Sequence, residues 1–409
     1  MKLAVRRRKL PGPPPATPHE AAHLAFSLRG KRIAAFDGLR GAAIVAIMAY
    51  HFVRQFPRPQ EALDRVFFEL LSAGWIGVEL FFVLSGFLAT AVLCESKPTP
   101  HFMRTFHVRR SLRVLPLYFG LLFVLFVAVP LFAGHTQERV HALTANQWWF
   151  WFFLCNWFFA LQGGFGTAPG GYLWWLSLDQ QFCILWPLAV RWLNRRAMIA
   201  LSAGLFVGSL VVRVVLLTAG VGPVVVYLIT FSHLDGLAFG CLLALAMRSG
   251  TLSPPVARLL RAAATVSAIV LAGLFLLRGE FVFWDIPTVA VSPTLLAACF
   301  GWLLVASCRS EGGETCPARW RLLTSPVLLS FGRYSYGLYL LHPLVGRLLQ
   351  PAFAPLQRLL GGSAMAAFSV FIAVAIAASW GVAVASWHLF EQPMARLRER
   401  IPQAKAFAR

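Results

Sequence analysis

Apolar runs of about twenty residues, each closed by charged or turn-forming residues, recur along the whole chain. Some 20 residues at 1.5 Å rise cross a hydrocarbon layer ~30 Å thick. The runs therefore predict membrane-spanning helices near 34–53, 72–93, 112–133, 172–192, 197–218, 224–247, 262–278, 287–307, 327–348 and 363–390. Between the third and fourth lies the stretch QWWFWFFLCNWFFALQ, Gln147 to Gln162. It is short for a crossing and rich in Trp, which favours membrane interfaces. We read it as a re-entrant or interfacial segment leading into GGFGTAPGG. The pattern predicts an all-α polytopic membrane protein of about ten transmembrane helices. Its domains are a basic, Pro-rich tail at 1–32, a transmembrane domain at 33–395 and a basic tail at 396–409.

Charge gives this picture an orientation. Of the 37 Lys and Arg residues, 27 fall in segments on the same side as both termini, and 6 (Arg54, Arg58, Arg65, Arg139, Arg278, Arg358) fall on the other. Basic residues concentrate on the cytoplasmic side of membrane proteins, so both termini are expected in the cytoplasm. The net charge of +21 would suggest a nucleic-acid partner in a soluble protein. With 58% hydrophobic and only 13% charged residues, anionic lipid is the simpler partner, and no nucleic acid is expected. The basic N-terminus runs into prolines with no apolar h-region after it, unlike a signal peptide. Seven cysteines show no C-x-x-C pair and no Cys/His spacing for a metal, so free thiols and no metal site are expected.

The informative positions are polar ones inside the apolar runs. The first run, DGLRGAAIVAIMAYHF, carries Asp37, Arg40 and His51. Ionisable groups within a span usually mark function. Eleven helical residues are three turns plus about 20°, so Arg40 and His51 share a face, about 16 Å apart. Asp37, Ile44 and Ile47 lie on that face too. Arg109, Arg110 and Arg113 open the third span as a basic cluster. Positive-inside anchoring accounts for Arg109 and Arg110 taken alone; phosphate recognition suits Arg40 better, because arginine offers a fixed fork of donors to phosphate oxygens. Towards the outer side, His51, Glu79, Asp179 and His342 fall at one depth on four helices, and a carboxylate beside a histidine can orient it as a base. Deeper lie His233 and Asp235, for which structure is favoured over catalysis, with Arg333 as the expected partner of Asp235. Glu391 ends the last span, within reach of an arginine.

These stretches resemble the acyltransferase-3 family of integral-membrane O-acyltransferases, which includes bacterial O-antigen and Nod-factor O-acetyltransferases. The matching segments are FDGLRG with ten residues between Arg40 and His51, GWIGVELFFVLSGFL, RRSLRVLPLY, LWWLSLDQQF, HLDGLAFG, FGRYSYGLYLLHP and FEQP. They occur in the family's order from residue 33 to about 395. Each is weak alone; the ordered set is specific. Asp179 stands where Glu is usual, Glu79 where Asp is frequent and His233 where Arg is frequent. Residues 396–409 do not resemble the hydrolase-like extension of some larger members, so acceptor binding is expected to fall to the membrane core and its external loops.

The resemblance implies an acyl donor, usually acetyl-CoA, reached from the cytoplasm, and a sugar hydroxyl as acceptor at the outer face. We therefore expect an enzyme of the bacterial inner (plasma) membrane that O-acetylates a cell-surface or exported carbohydrate, free or lipid-linked. Arg40, Arg110 and Arg113, with Asp37, are expected to bind the CoA phosphates. His51 is the expected general base, with Asp179, or second Glu79, orienting it, and His342 and Trp175 meeting the substrate. No Ser or Cys sits in a G-x-S-x-G-type elbow, which favours direct transfer over an acyl-enzyme. A transporter or flippase would also have ten helices with buried charges, but commonly shows inverted repeats, and none is evident. The same chemistry on a macrolide-type small molecule is the alternative acceptor, and nothing in the sequence excludes it.

Overall fold

The computed structural model describes residues 33–133, 144–165, 170–310 and 321–399, and every regular element among them is helical. The basic tail expected at 1–32 lies outside them, as does that at 396–409 beyond residue 399, and Cys316 also falls outside. The six described cysteines are free thiols.

Helix α1 (Ala34–Val53) begins with Asp37 in its first turn and ends with His51 in its last. An acid at the N-terminus and a base at the C-terminus both complement the helix dipole, so these positions also suit the helix itself. After α2 (Ala62–Ser72), a short turn of 3₁₀ helix leads into α3 (Gly77–Ser96). Helix α4 (Phe102–Phe123) tolerates Pro116 and runs through one wide π turn into Val129–Ala133. The Trp-rich stretch folds as two short pieces, α5 (Trp148–Trp151) and α6 (Cys155–Leu161), separated by Phe153 at φ 56°. Four and seven helical residues cannot cross a bilayer, which fits a segment that enters without crossing.

Next come α7 (Trp174–Trp192), α8 (Arg195–Thr218, capped by the Asn194 side chain), α9 (Pro223–Leu228), α10 (Asp235–Arg248) and α11 (Pro254–Arg278). The chain continues with α12 (Ile286–Ser310), α13 (Pro326–Arg333), α14 (Ser335–Leu349) and α15 (Phe353–Leu359). Helix α16 (Ala364–Ser386) passes through a second π turn at Trp387–Glu391 into α17 (Gln392–Glu399).

Seven described helical stretches are long and apolar enough to span a membrane, and the chain is an integral membrane protein. The other three of the ten expected spans differ in kind. Helix α7 carries Asp179 and Arg191 within 19 residues. The expected 224–247 helix is broken into α9 and α10 by the irregular segment Ile229–Leu234, and the expected 327–348 helix is broken at Tyr334 into α13 and α14. Irregular backbone at membrane depth is tolerated only where protein or a cavity surrounds it. These three segments are also the ones that carry Asp179, His233, Asp235 and His342.

Burial separates centre from periphery. The apolar windows of α1 and of α2–α3 are 67% and 72% buried, whereas those of α8 and α11 are 17% and 11% buried and present their apolar faces outward. Glycine permits the closest approaches at the centre. A Cβ on Gly86 would strike the Leu237 carbonyl and one on Gly240 the Val83 carbonyl, so α3 and α10 meet backbone to backbone. Gly41 of α1 meets the Leu328 carbonyl of α13 in the same way, and Gly332 meets that of Asp37.

Between α8 and α10, Arg213 is fully buried. It donates to Asp235 Oδ2 at 2.8 Å, to the Ser232 and Ala290 carbonyls at 2.5 and 3.1 Å, and to Thr294 Oγ1 at 2.5 Å. The expected Arg333–Asp235 pair is thus replaced by Arg213–Asp235. Arg333 instead lies over the Tyr334 and Trp387 rings, 5.6 and 5.5 Å from their centroids, because the break at Tyr334 turns α13 towards the end of α16. Glu391 Oε1 is buried and, among the described residues, has no hydrogen-bond partner.

Candidate active site

The four ionisable groups expected at one depth separate into three sites. The first is a cavity of about 230 Å³ between α1, α3, α4, α7 and α14, whose lining includes Arg40, Arg110, Arg113, Asp179, Ser85 and Trp175. Three arginines against one carboxylate give it a net positive wall. Arg110 is anchored: its Nη2 donates to Asp179 Oδ2, and its Nε lies 3.4 Å from Gln180 Oε1. The other Asp179 oxygen, Oδ1, accepts the Ser85 hydroxyl, and Gln180 Nε2 donates to Oδ2 at 3.1 Å. Asp179 is therefore occupied on both oxygens by the donor-lined cavity and does not meet His51. The expectation that it orients His51 is corrected. Its helix aims it at α4, and the long Arg110 side chain reaches in to meet it. Arg40 is held by Asp37, with Nη1 3.2 Å from Oδ1 one turn back on α1. Asp37 thus acts on an arginine, and a direct contact with a phosphate would put like charges together.

The second site is a histidine pair. His51 Nδ1 lies 3.0 Å from His342 Nε2, and His342 Nδ1 lies 2.8 Å from the Leu338 carbonyl. A carbonyl oxygen only accepts, so His342 Nδ1 carries hydrogen. The neutral His342 ring then has a bare Nε2, which accepts from His51 Nδ1–H. Neutral His51 is left with its Nε2 unprotonated. A carbonyl and a second imidazole thus fix the tautomer that a general base needs, in place of the expected carboxylate. His342 is fully buried, whereas His51 is partly exposed.

The third site is Glu79 with His233, Oε1 to Nε2 at 2.7 Å, both fully buried. The rings of Tyr227, Trp174 and Phe82 stand 4.8, 5.3 and 5.3 Å from the His233 ring. Glu79 therefore faces His233, just before α10, and not His51, which corrects its role as second orienter. His233, with no special place in the sequence reading beyond structure, is its partner. The irregular Ile229–Leu234 segment is what turns His233 back onto α3.

Aromatic rings join the first site to the second. Trp175, in the cavity wall, lies 5.0 Å from Tyr339, and Tyr339 lies 6.1 Å from His342. Tyr172 stands 6.4 Å from His51 and 6.2 Å from His342. Its hydroxyl donates to the Leu340 carbonyl at 3.1 Å, and its own carbonyl accepts the Tyr339 hydroxyl. Tyr172 and Tyr339 were not singled out in the sequence. Tyr172 falls between the GGFGTAPGG and LWWLSLDQQF stretches, and Tyr339 lies within FGRYSYGLYLLHP.

Among the described residues no three His, Cys, Asp or Glu side chains gather as metal ligands. Residues 33–384 match the acyltransferase-3 family, whose defining unit is described as an acyltransferase domain. The Listeria monocytogenes peptidoglycan O-acetyltransferase OatA is 27% identical over 326 residues, covering 76% of this chain and 49% of OatA. YrhL of Bacillus subtilis is 29% identical over 340 residues, covering 76% of this chain and 48% of YrhL. The chain spans about half the length of these relatives. No solved structure matches it significantly.

Proposed function

The chain belongs to the acyltransferase-3 family, and from that premise we propose that it moves an acetyl group from cytoplasmic acetyl-CoA to a hydroxyl of a cell-surface glycan. Peptidoglycan is the acceptor class we favour, because a relative over three quarters of the chain carries that activity in its name. The observation that carries the reading is the tautomer relay from Leu338 through His342 to His51, which leaves His51 Nε2 free to accept a proton.

The net-positive cavity takes the donor. Ligand pockets for whole drug-sized molecules run to ~300–1,000 Å³, so about 230 Å³ suits part of a CoA thioester, with the nucleotide outside. Arg40, Arg110 and Arg113 hold its phosphates. The pantetheine arm runs past Trp175 and Tyr339 towards the histidines, over the ~16 Å that separates Arg40 from His51 along α1. An acceptor hydroxyl loses its proton to His51 Nε2 as its oxygen attacks the thioester carbonyl. The tetrahedral adduct collapses by breaking the carbon–sulfur bond. The CoA thiolate leaves and takes up the proton from His51. His342 positions the base and shares the imidazolium charge. Base catalysis of this kind contributes roughly 10²–10⁴ in rate.

In a bacterium this places the enzyme in the plasma membrane, with the arginine cavity on the cytoplasmic side where Lys and Arg concentrate. Glycan mass spectrometry of cells with and without the chain tests the reading. The expected result is the loss of one acetyl mass per modified sugar when the chain is absent. Identical glycan spectra contradict it.

A further inference from the structure

On the side of the histidine pair away from Arg40, the helices that carry His51 and His342 each bear an arginine without a hydrogen-bonded partner among the described residues. Arg54 caps α1, three residues past His51 and about 21 Å along the axis from Arg40. Its guanidinium carbon lies over the Trp284 ring, 4.6 Å from the centroid, and over the Phe68 ring at 5.5 Å. A cation over a ring face uses no N–H donor in an ordinary hydrogen bond. Arg347 is exposed on α14, five residues past His342. The ends of these helices lie together, since Gln350 Nε2 donates to the Gln55 carbonyl at 3.4 Å. Arg54 acts electrostatically on Tyr50, whose ring lies 4.9 Å from that of His51, and Arg347 acts on Tyr172, which flanks both histidines.

Arg65 and Arg358, on α2 and α15, also show no hydrogen-bonded side-chain partner among the described residues but lie off the two helices that carry the histidines. Two further arginines at this end are engaged. Arg58 meets Glu69 at 2.6 Å, and Arg278 meets Asp285. Glu69 is also within Coulomb reach of Arg54, and Glu280 of Glu69, but Glu69 is buried and bound by Arg58. Arginine is scarce on the outer side by the positive-inside bias, and these two stand on the very helices that carry His51 and His342.

We propose that Arg54 and Arg347 form an oxyanion-binding mouth beside His51 that holds a carboxylate or phosphate of the glycan acceptor. This rests on the acyl-transfer reading above and adds to it an acceptor requirement: a negative group close to the hydroxyl that is acetylated. Charge-assisted, fork-shaped recognition places that hydroxyl at His51 Nε2 and discriminates against neutral sugars.

Equilibrium binding by titration calorimetry, on the full chain in lipid nanodiscs without donor, tests this. The probes are muramic-acid oligomers, which carry a lactyl carboxylate, neutral chito-oligosaccharides, and inorganic pyrophosphate. The wild type is expected to bind the carboxylated oligomers more tightly than the neutral ones. Arg54→Gln and Arg347→Gln should each weaken that binding roughly 10-fold or more and leave neutral binding unchanged. Arg347 is exposed, so its replacement leaves the fold intact. Pyrophosphate that binds more tightly than the carboxylated oligomer, and depends on both arginines, assigns the mouth to phosphate; the reverse order assigns it to carboxylate. Equal binding of charged and neutral oligomers with no pyrophosphate binding, or variants that bind every probe like the wild type, overturns the proposal. Arginine-dependent binding in a preparation that transfers no acetyl group would leave the mouth standing and remove the acyl-transfer reading.

Discussion

His51 and His342 face each other across α1 and α14 at 3.0 Å, and the Leu338 carbonyl behind His342 decides which nitrogen of each ring carries hydrogen. In the proposed reaction the pair supplies the base without a carboxylate. Replacing His51 with Ala should lower turnover by roughly 10²–10⁴ and leave donor binding unchanged. His342→Ala should lower turnover less and displace the pH dependence of the rate, since His51 keeps its place and loses its orienter. Initial rates across pH for the two variants check this. Equal losses with unmoved pH profiles would mean that His342 serves only packing.

Asp179 lines the arginine cavity that we assign to the donor. Asp179→Asn removes the charge that fastens Arg110 at the cavity wall. Affinity for acyl-CoA should fall about 10-fold or more, as expected for a lost charged hydrogen bond, with a smaller change in the rate at saturating donor. Titration of the purified variant with a non-hydrolysable CoA thioether measures it. Unchanged donor affinity together with a large fall in turnover would return Asp179 to the catalytic step.

The Arg213–Asp235 pair is predicted to be structural. Removing one partner of a fully buried, hydrogen-bonded pair destabilises by about 3–5 kcal/mol. Asp235→Asn and Arg213→Met should each lower the thermal unfolding temperature in detergent, and the double variant should recover part of the loss, because no charge is then left alone. Thermal melts of the three proteins decide it.

Gly86 and Gly240 let α3 and α10 meet backbone to backbone. Gly240→Leu should abolish the folded, monodisperse protein, since the obstructing atoms are a carbonyl and a backbone nitrogen that cannot turn aside. Size-exclusion profiles of wild type and variant give the outcome.

What could be read from the sequence follows from what a single helix determines. Period and length predict the spans, and eleven-residue arithmetic puts Arg40 and His51 on one face of α1, as both the cavity lining and the histidine pair use it. Which neighbour a buried charge meets is set by how helices pack. Arg110 and Asp179 are 69 positions apart, and His51 and His342 are 291 apart, so depth alone grouped them wrongly. The breaks at 229–234 and Tyr334 had a local signal that helical length alone passes over: Thr230, Ser232 and His233 interrupt the first apolar run, and Gly332, Arg333 and Ser335 the second.

The account is tested most directly by a sided transfer assay. Proteoliposomes holding the purified chain receive radiolabelled acetyl-CoA on the side of the arginine cavity and glycan oligomers on the other. The prediction is labelled glycan with wild type, and none above background with His51→Ala. Label in the glycan at equal rates for both proteins, or transfer only when donor and acceptor share one side, would contradict it.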